Sequence, residues 1–259
     1  MARAGCYHPP SMLSGLLRPF VLRRAIETLE REIPRERSTS EWLDFVNTFH
    51  ESLGASRKLR GKFSIAPIQI QAEIVRFIEM VRAIAPQRVV EVGSASGGTL
   101  FLLARAARPG ATLVSVDLPA GPDSPGYAAW REDLYRAFAG PDRRIELVRA
   151  DSHSPATAAR VKGILGAPAD VVFIDGDHSY AGVARDYELY APLVRPGGLL
   201  AFHDIVADHR TRFGTETAND SGEVYRLWSE VRSRGKATEI VEDPEQNGFG
   251  IGVLVAQAG

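Results

Sequence analysis

Histidine and aspartate side chains follow two of the strands that this sequence predicts. Asp175 is followed by His178, and His203 directly precedes Asp204. The carboxyl ends of parallel strands meet at one edge of a sheet, so we expect these four residues to lie close together. Imidazole has an ordinary pKa of about 6.5 and can accept a proton at neutral pH, and a neighbouring carboxylate can orient it. The pattern predicts a general base, either His178 beside Asp177 or His203 beside Asp204, and Asp175 joins the same group of residues.

A glycine-rich segment, Glu91–Thr99 (EVGSASGGT), follows the first predicted strand and opens a predicted helix. Gly93 and Gly97 allow a sharp turn and a close approach to a ligand, and the helix amino terminus offers free N–H groups. The spacing lacks the middle glycine of the dinucleotide motif G-x-G-x-x-G. Glu91 would repel a phosphate and suits a cationic ligand. Asp117 ends the second strand, where a carboxylate can accept hydrogen bonds from a ribose diol.

These residues need a scaffold of strands, and short apolar runs alternate with helical patterns after the amphipathic helix predicted over Ile70–Ile84. Such alternation predicts βαβ units and a mostly parallel sheet covered on both faces. The predicted strands are Arg88–Val92, Thr112–Val116, Glu146–Arg149, Val171–Ile174, Leu199–Phe202, Glu239–Val241 and Gly250–Ala256. The last two flank the turn-rich Asp243–Gly248 and must be antiparallel. The fold class is therefore α/β: a Rossmann-like, doubly wound, seven-stranded sheet with an antiparallel C-terminal hairpin.

Helical patterns fill the N-terminal part of the chain. One predicted helix ends at Pro34, Ser40 caps the next, and Arg57–Lys62 is predicted to be a basic loop. We expect residues 1–63 to form a helical extension that covers a pocket or makes a dimer contact, and residues 64–259 to form the main domain. A homo-oligomer is therefore among the expected partners. Two polar loops, 119–126 and 207–222, are predicted to border the binding pocket.

Composition excludes several classes of protein. The 259 residues carry 31 basic and 32 acidic side chains, a net charge of −1, so no basic field attracts nucleic acid. No apolar run approaches the roughly 18 residues of a membrane span, and Met1–Phe20, with three prolines, is not expected to be a signal peptide. The single Cys6 excludes an intrachain disulfide and a cysteine-based zinc site. The arginine-rich, lysine-poor composition indicates a GC-rich bacterial genome, and the single cysteine fits a reducing compartment, so we expect a cytoplasmic protein.

Taken together, the motifs resemble those of class I S-adenosylmethionine-dependent methyltransferases. The resemblance rests on Glu91–Gly98, Asp117, Asp151, Val172–Tyr180 (VFIDGDHSY) and Arg195–Asp204 (RPGGLLAFHD), in that order, and covers about residues 64–257. The last two stretches are similar to small-molecule O-methyltransferases of bacterial secondary metabolism. The resemblance therefore implies S-adenosylmethionine as cofactor and a phenolic or sugar hydroxyl as acceptor, in natural-product or antibiotic biosynthesis.

The resemblance also implies a role for each site residue. Glu91 would lie near the methionine amino group. The other implied cofactor-binding residues are Gly93, Ser94 and Gly97 at the methionine moiety, Asp117 at the ribose with Leu118 beside it, Asp151 and Ser152 at the adenine edge, and Asp175 at the methyl-transfer site. Related catechol-type methyltransferases bind Mg²⁺ through an aspartate after the fourth strand and an acidic pair after the fifth. Asp175 and Asp204 match those positions, whereas His203 is a poor Mg²⁺ ligand and would suit another divalent metal.

Other functions remain open at this point. A metal-dependent hydrolase could use the Asp/His cluster, although it would leave Asp117 and the glycine loop without a role. A non-catalytic module could keep the cofactor pocket alone. A nicotinamide oxidoreductase is disfavoured because the dinucleotide motif is broken and no lysine has a tyrosine four residues before it.

Overall fold

One seven-stranded sheet organises the protein, whose computed structural model describes residues 12–121, 124–219 and 221–257. The strands are β1 (Arg88–Val92), β2 (Thr112–Asp117), β3 (Arg144–Arg149), β4 (Ala169–Ile174), β5 (Val194–His203), β6 (Lys236–Ile240) and β7 (Ile251–Val255). Their order is β3-β2-β1-β4-β5-β7-β6. Neighbouring strands are parallel, except that β7 runs antiparallel to both β5 and β6. The predicted fold class, including the antiparallel C-terminal hairpin, is confirmed.

The direction in which the sheet grows reverses between β1 and β4. The chain passes outward from β1 to β2 and β3, and then returns to place β4 on the other side of β1. Loops leaving β1 and β4 therefore diverge and open a crevice at their carboxyl ends, which is where open α/β sheets bind ligands. Both strands are buried almost throughout, consistent with their continuous apolar sequences.

Helices cover both faces of the sheet. They are α1 (Met12–Glu32), α2 (Thr39–Thr48), α3 (Arg57–Arg60), α4 (Gln71–Ala83), α5 (Gly98–Ala106), α6 (Glu132–Ala137), α7 (Pro155–Leu165), α8 (Tyr180–Tyr190), α9 (His209–Phe213) and α10 (Val224–Val231). Strand side chains alternate between the faces: Val89 belongs to the core shared with α1, α2, α4, α5 and α6, whereas Val90 belongs to the core shared with α7, α8 and α10.

Two N-terminal predictions are wrong in detail. Helix α2 is capped by Ser38, not Ser40, because Ser38 forms a reciprocal capping box with Glu41. The segment expected to be a basic loop forms α3 and a 3₁₀ turn, and buries Leu59 and Phe63. Helices α1 and α2 pack onto the same core as α4 and α5. The division at residue 63 stays a prediction.

Some expectations concern residues outside the described part of the chain. Cys6 and residues 1–11 of the N-terminal segment lie there, as do residues 122 and 123 of the first border loop and residue 220 of the second. None of the helices within the described ranges combines the length and hydrophobicity needed to cross a membrane.

Candidate active site

The glycine loop connects β1 to α5 in a conformation that requires glycine at two positions. Gly93 has φ +84° and Gly97 has φ +87°. A Cβ at position 93 would collide with the backbone carbonyl of Asp175, and one at position 97 would lie 2.7 Å from the ring of Tyr135. The loop is thus pressed against the segment that follows β4 on one side and against α6 on the other.

Asp117 holds this loop from the end of β2. Its Oδ2 accepts hydrogen bonds from the backbone N–H groups of Ser94 (3.0 Å) and Ala95 (2.8 Å), and its Oδ1 accepts one from Leu118 N–H (2.7 Å). Burial raises the pKa of Asp117, although these three hydrogen bonds oppose the rise. The side chain therefore shapes the loop in addition to facing the binding pocket.

Glu91 supports the loop from within the sheet. It is fully buried and accepts a hydrogen bond from Ser94 Oγ, which also lies 2.7 Å from Ser115 Oγ. Its Oε1 has no hydrogen-bond partner among the described residues. Burial, with smaller contributions from Asp175 and Asp117, raises the pKa of Glu91 well above its ordinary value. A cation approaching the loop would favour the ionised form of this carboxyl.

A cavity of about 850 Å³ occupies the crevice at the carboxyl ends of the strands. This volume is in the range usual for small-molecule sites. The predicted site residues that line it are Gly93, Ser94, Asp117, Leu118, Asp151, Ser152, Asp175, His178, His203 and Asp204. Glu91 and Gly97 do not line it and lie behind the loop. The structure thus gathers the residues named for cofactor binding and those named for catalysis around one space.

Two carboxylates and two imidazoles form a compact cluster in this cavity. His203 Nδ1 lies 3.2 Å from Asp175 Oδ1 and 3.1 Å from Asp204 Oδ2. His178 Nε2 lies 3.5 Å from Asp175 Oδ1, and its Nδ1 lies 3.4 Å from Asp204 Oδ2. Each imidazole therefore contacts both carboxylates.

The two histidines differ in exposure and in pKa. Burial alone would lower the pKa of His203, which is 4% exposed, but Asp175 and Asp204 raise it to about 10. Burial would raise the pKa of Asp175, but His203 and His178 lower it to about 2. The hydrogen bond with Asp175 raises the pKa of His178, whose side chain is 38% exposed. His203 is consequently held as a buried cation, whereas His178 can exchange protons with a ligand in the cavity.

A divalent cation could use part of the same cluster. Asp175, His178 and Asp204 each offer one ligand atom, and these three atoms lie within 4.8 Å of one another. Carboxylate oxygen and imidazole nitrogen are common ligands for Mn²⁺, Fe²⁺ and Zn²⁺. The donor set therefore fits a cation.

Comparison with known proteins agrees with this geometry. A family model described as a methyltransferase domain matches residues 90–205, from β1 to the residue after Asp204. This segment is just under half of the chain, and its match confirms the predicted resemblance to a methyltransferase domain. It agrees with the prediction of an enzyme of that kind.

Solved structures share the fold of this methyltransferase. An O-methyltransferase from Bacillus cereus, in complex with SAH, is 19% identical; the match covers 89% of this chain and 96% of that one, with a TM-score of 0.50. The O-methyltransferase TomG from Streptomyces achromogenes, involved in tomaymycin synthesis and in complex with SAM, is also 19% identical, with 85% and 91% covered and a TM-score of 0.52. The likeness at these identities concerns the fold.

One curated relative is an uncharacterized protein, y4gI, from Sinorhizobium fredii. It is 25% identical over 176 residues. The match covers 66% of the methyltransferase chain and only 18% of the relative, so it concerns a small part of that longer protein.

Sequence reasoning missed three residues that line the cavity. Gln69, which is 7% exposed, donates a hydrogen bond from Nε2 to Asp175 Oδ2 (2.6 Å) and accepts one at Oε1 from Thr99 Oγ1 (3.1 Å). It belongs to the turn before α4, and no spacing in the sequence connects it with Asp175. Asn219 lies in the polar loop expected to border the pocket, so its position was the one available signal. Phe249, with φ +63°, follows the C-terminal turn.

Two further histidines, His153 and His209, follow predicted strands in sequence and occupy different places in the structure. His153 lines the cavity of the methyltransferase, with its Nε2 3.8 Å from Oδ2 of the buried Asp186. His209 begins helix α9 outside the cavity, and its Nε2 lies 3.0 Å from the carbonyl oxygen of Glu245. Helix α9 divides the predicted border loop, so that loop is partly helical.

Proposed function

We propose that this methyltransferase transfers the methyl group of S-adenosylmethionine to a hydroxyl oxygen of a small molecule. The observation that carries the proposal is the single cavity shared by the glycine loop and the Asp175–His178–His203–Asp204 cluster. Gly93 packs directly against the backbone of Asp175, so a ligand held by the loop reaches the cluster. Two neighbours of the same fold have structures with SAH or SAM, which supports the choice of methyl donor.

The cavity residues fit this donor in size and chemistry. Gly93 and Ser94 would border the methionine moiety, Asp117 and Leu118 the ribose, and Asp151 and Ser152 the adenine. Leu118 is 36% exposed and adds an apolar surface beside Asp117. Glu91 and Gly97 would not contact the donor; they would hold the glycine loop in its conformation. When bound, S-adenosylmethionine supplies a methyl group already activated by its sulfonium.

The transfer is an in-line displacement at the methyl carbon. A lone pair on the acceptor oxygen forms the new C–O bond while the C–S bond breaks, and its electrons return to sulfur. The leaving group is neutral and needs no acid, but the acceptor must lose its hydroxyl proton. His178 is the group that takes this proton, because it is the exposed imidazole of the cluster. Asp175 orients His178, and His203 holds Asp175 in its ionised form.

A divalent cation offers a second way to remove the same proton. Asp175, His178 and Asp204 would hold it, and it would lower the pKa of the acceptor hydroxyl when bound. His178 would then act as a ligand instead of the base. Turnover in EDTA-treated buffer separates the two arrangements, because only the histidine base works without a metal.

The acceptor is proposed to be a phenolic or sugar hydroxyl of a natural-product intermediate, such as an antibiotic precursor. TomG, which shares the fold, is described as involved in tomaymycin synthesis. The exposed Ile68, the cavity-facing Phe249 and the polar Asn219 give the acceptor side of the cavity both apolar and hydrogen-bonding surfaces.

Calorimetric titration with S-adenosylhomocysteine in EDTA-treated buffer tests the donor. We expect micromolar binding with one site per chain. Transfer is then measured with radiolabelled S-adenosylmethionine and a panel of phenols and sugars. Absence of binding, combined with hydrolysis that needs no nucleoside, would support a metal hydrolase instead. Binding without transfer to any acceptor would support a non-catalytic module.

A further inference from the structure

A second cavity, of about 740 Å³, lies at the opposite edge of the sheet. Its walls are the turn after α1, the start of α2, the ends of α4 and α5, and Pro141–Arg143 just before β3. Helix α5 begins at the glycine loop and runs back toward the start of β2, so its two ends lie at opposite edges. The second cavity is therefore separate from the methyl-transfer site and shares none of its lining residues.

Arginine dominates the lining of this cavity. Its five arginines are Arg35, Arg37, Arg82, Arg105 and Arg143. The lining acids are fewer: Glu41 bonds to Ser38 in the capping box, and Asp142 pairs with Arg143 at 2.6 Å. Glu32, just outside the lining, pairs with Arg35 at 2.9 Å and with Arg37 at 2.6 Å. Lysine is absent from the lining. The cavity consequently has an excess of positive charge carried by planar guanidinium groups.

Three guanidinium nitrogens in this lining are buried without an acceptor among residues 12–121, 124–219 and 221–257. They are Arg37 Nη1, Arg82 Nε and Arg105 Nε. A buried donor without a partner is unfavourable, and buried donors in native proteins are nearly always paired. Of these arginines, Arg82 and Arg105 form no ion pair with any described residue, so the cavity holds two guanidinium groups that a bound anion would neutralise.

Arg37, Arg105 and Arg143 are held in place before any ligand arrives. Arg105 Nη2 donates to the carbonyls of Phe138 and Ala139, and the Arg37 guanidinium lies 4.7 Å from the ring centre of Trp42. Arg143 donates to the carbonyl of Ala107 at 2.7 Å. Burial and the neighbouring Arg143 lower the pKa of Arg105 to about 10, an effect that a bound anion would reverse. A preorganised site loses little side-chain entropy on binding.

We propose that this cavity binds a phosphorylated small molecule, whose phosphate group accepts hydrogen bonds from Arg37, Arg82 and Arg105. Guanidinium groups match phosphate oxygens in a bidentate manner and are the usual choice for phosphate recognition. A phosphate group presents acceptors in several directions, as three donors from different walls require. The cavity is larger than inorganic phosphate, which leaves room for the organic part of the ligand.

Calorimetry with inorganic phosphate and pyrophosphate as probes, in low-salt chloride buffer, tests the proposal on the full chain. We expect one site per chain, and at least about 10-fold weaker binding in Arg82→Gln and in Arg105→Gln. Arg23→Gln is the matched control, because that arginine lies on α1 with 82% of its side chain exposed and outside the cavity. It should leave phosphate binding unchanged.

Two further measurements make the result decisive. Arg105 bonds to backbone carbonyls and its replacement could unfold the chain, whereas the Arg82 side chain makes no hydrogen bond or ion pair within the described part of the molecule. Unchanged S-adenosylhomocysteine affinity verifies that Arg82→Gln is folded. No binding of either probe, equal binding by folded Arg82→Gln, or equal binding of the dicarboxylate malonate would each overturn the proposal.

Discussion

The two edges of the sheet both concentrate charge, but they neutralise it by different means. At the carboxyl edge, Asp175 and Asp204 are surrounded by the two imidazoles, and each charged group has partners of opposite sign within 3.5 Å. At the amino edge, Arg35 and Arg37 share the single carboxylate of Glu32, and Arg143 pairs with Asp142. Arg105 bonds only to backbone carbonyls, and Arg82 makes no hydrogen bond or ion pair with the described residues.

Because of this difference, we expect proton transfer at the carboxyl edge and only ligand binding at the amino edge. Carboxylates and imidazoles exchange protons near neutral pH, and their pKa values respond to one another, so the carboxyl edge can activate a hydroxyl. Guanidinium groups stay protonated and can only hold an anion. The same sheet therefore presents a proton-transfer site at one edge and a fixed positive surface at the other.

Replacing Asp175 should give the largest effect on the carboxyl edge. Asp175→Asn removes the negative charge that orients His178 and is itself held by His203 and Gln69. We expect turnover to fall about 10³-fold, with S-adenosylhomocysteine affinity within about threefold of wild type. Turnover is measured as S-adenosylhomocysteine formation with the best acceptor of the panel.

Asp170→Asn is the matched control at the amino edge, since it makes the same chemical change away from the cavity. Its turnover should remain near wild type. If both variants lost turnover to the same extent, the assignment of proton transfer to the carboxyl edge alone would be wrong.

Replacing His178 tests which imidazole is the base. His178→Ala should lower turnover by about 10²-fold or more and spare cofactor affinity, because the exposed imidazole would be lost while the glycine loop stays intact. The control is His209→Ala, which changes a histidine outside the cavity. If His178→Ala and the control had equal turnover, His178 would not be the general base.

How much of this arrangement is predictable from sequence depends on the range of the contacts. Gly93 and the strand-end aspartates follow strands directly, so the sheet alone brings them to one edge. Gln69 reaches Asp175 across 106 residues, through a turn whose path only the packed core determines. The amino-edge cavity was missed for the same reason, since Arg82 and Arg105 come from different helices and neither is adjacent to a motif.

Fold class and the antiparallel C-terminal hairpin were accessible because βαβ alternation and one short turn-rich connection restrict the topology severely. The difference in burial and charge between His203 and His178 was not accessible from the sequence. Both precede or follow an aspartate in sequence, yet one is a buried cation and the other is exposed. Burial depends on the surrounding elements, and neighbouring residues in the sequence do not reveal it.

Asp186→Asn should stabilise the protein beside the carboxyl edge. Asp186 is fully buried and its nearest basic group is His153 at 3.8 Å; burial raises its pKa to about 6, although Ser152 and His153 oppose the rise. A folded-state pKa above the unfolded value of 3.8 means that stability falls as pH rises from about 4 to 6, and the loss is complete above 6. We expect a gain of about 1–2 kcal/mol in the free energy of unfolding at pH 7.

Denaturant unfolding between pH 4 and 8 measures this gain. The gain should be near zero at pH 4, where the Asp186 carboxyl is largely protonated. It should reach its full value above pH 6, where the substitution removes a buried ionised carboxylate. A gain of the same size at every pH would mean that packing, and not charge burial, is the cause.

Asp170→Asn should have a smaller effect of the opposite sign at the amino edge. Burial would raise the pKa of Asp170, but its hydrogen bonds with Arg195 (2.6 Å) and with the N–H groups of Arg88 and Gln87 lower it below 3.8. Its contribution to stability is therefore complete above about pH 4 and is lost as pH falls through the folded-state pKa. We expect a loss of about 1 kcal/mol at pH 7, by denaturant unfolding, that shrinks at low pH. The same substitution would then stabilise the chain where a buried carboxylate has few donors and destabilise it where donors surround one. Equal signs for Asp170→Asn and Asp186→Asn would show that the supply of donors does not decide the effect at either edge.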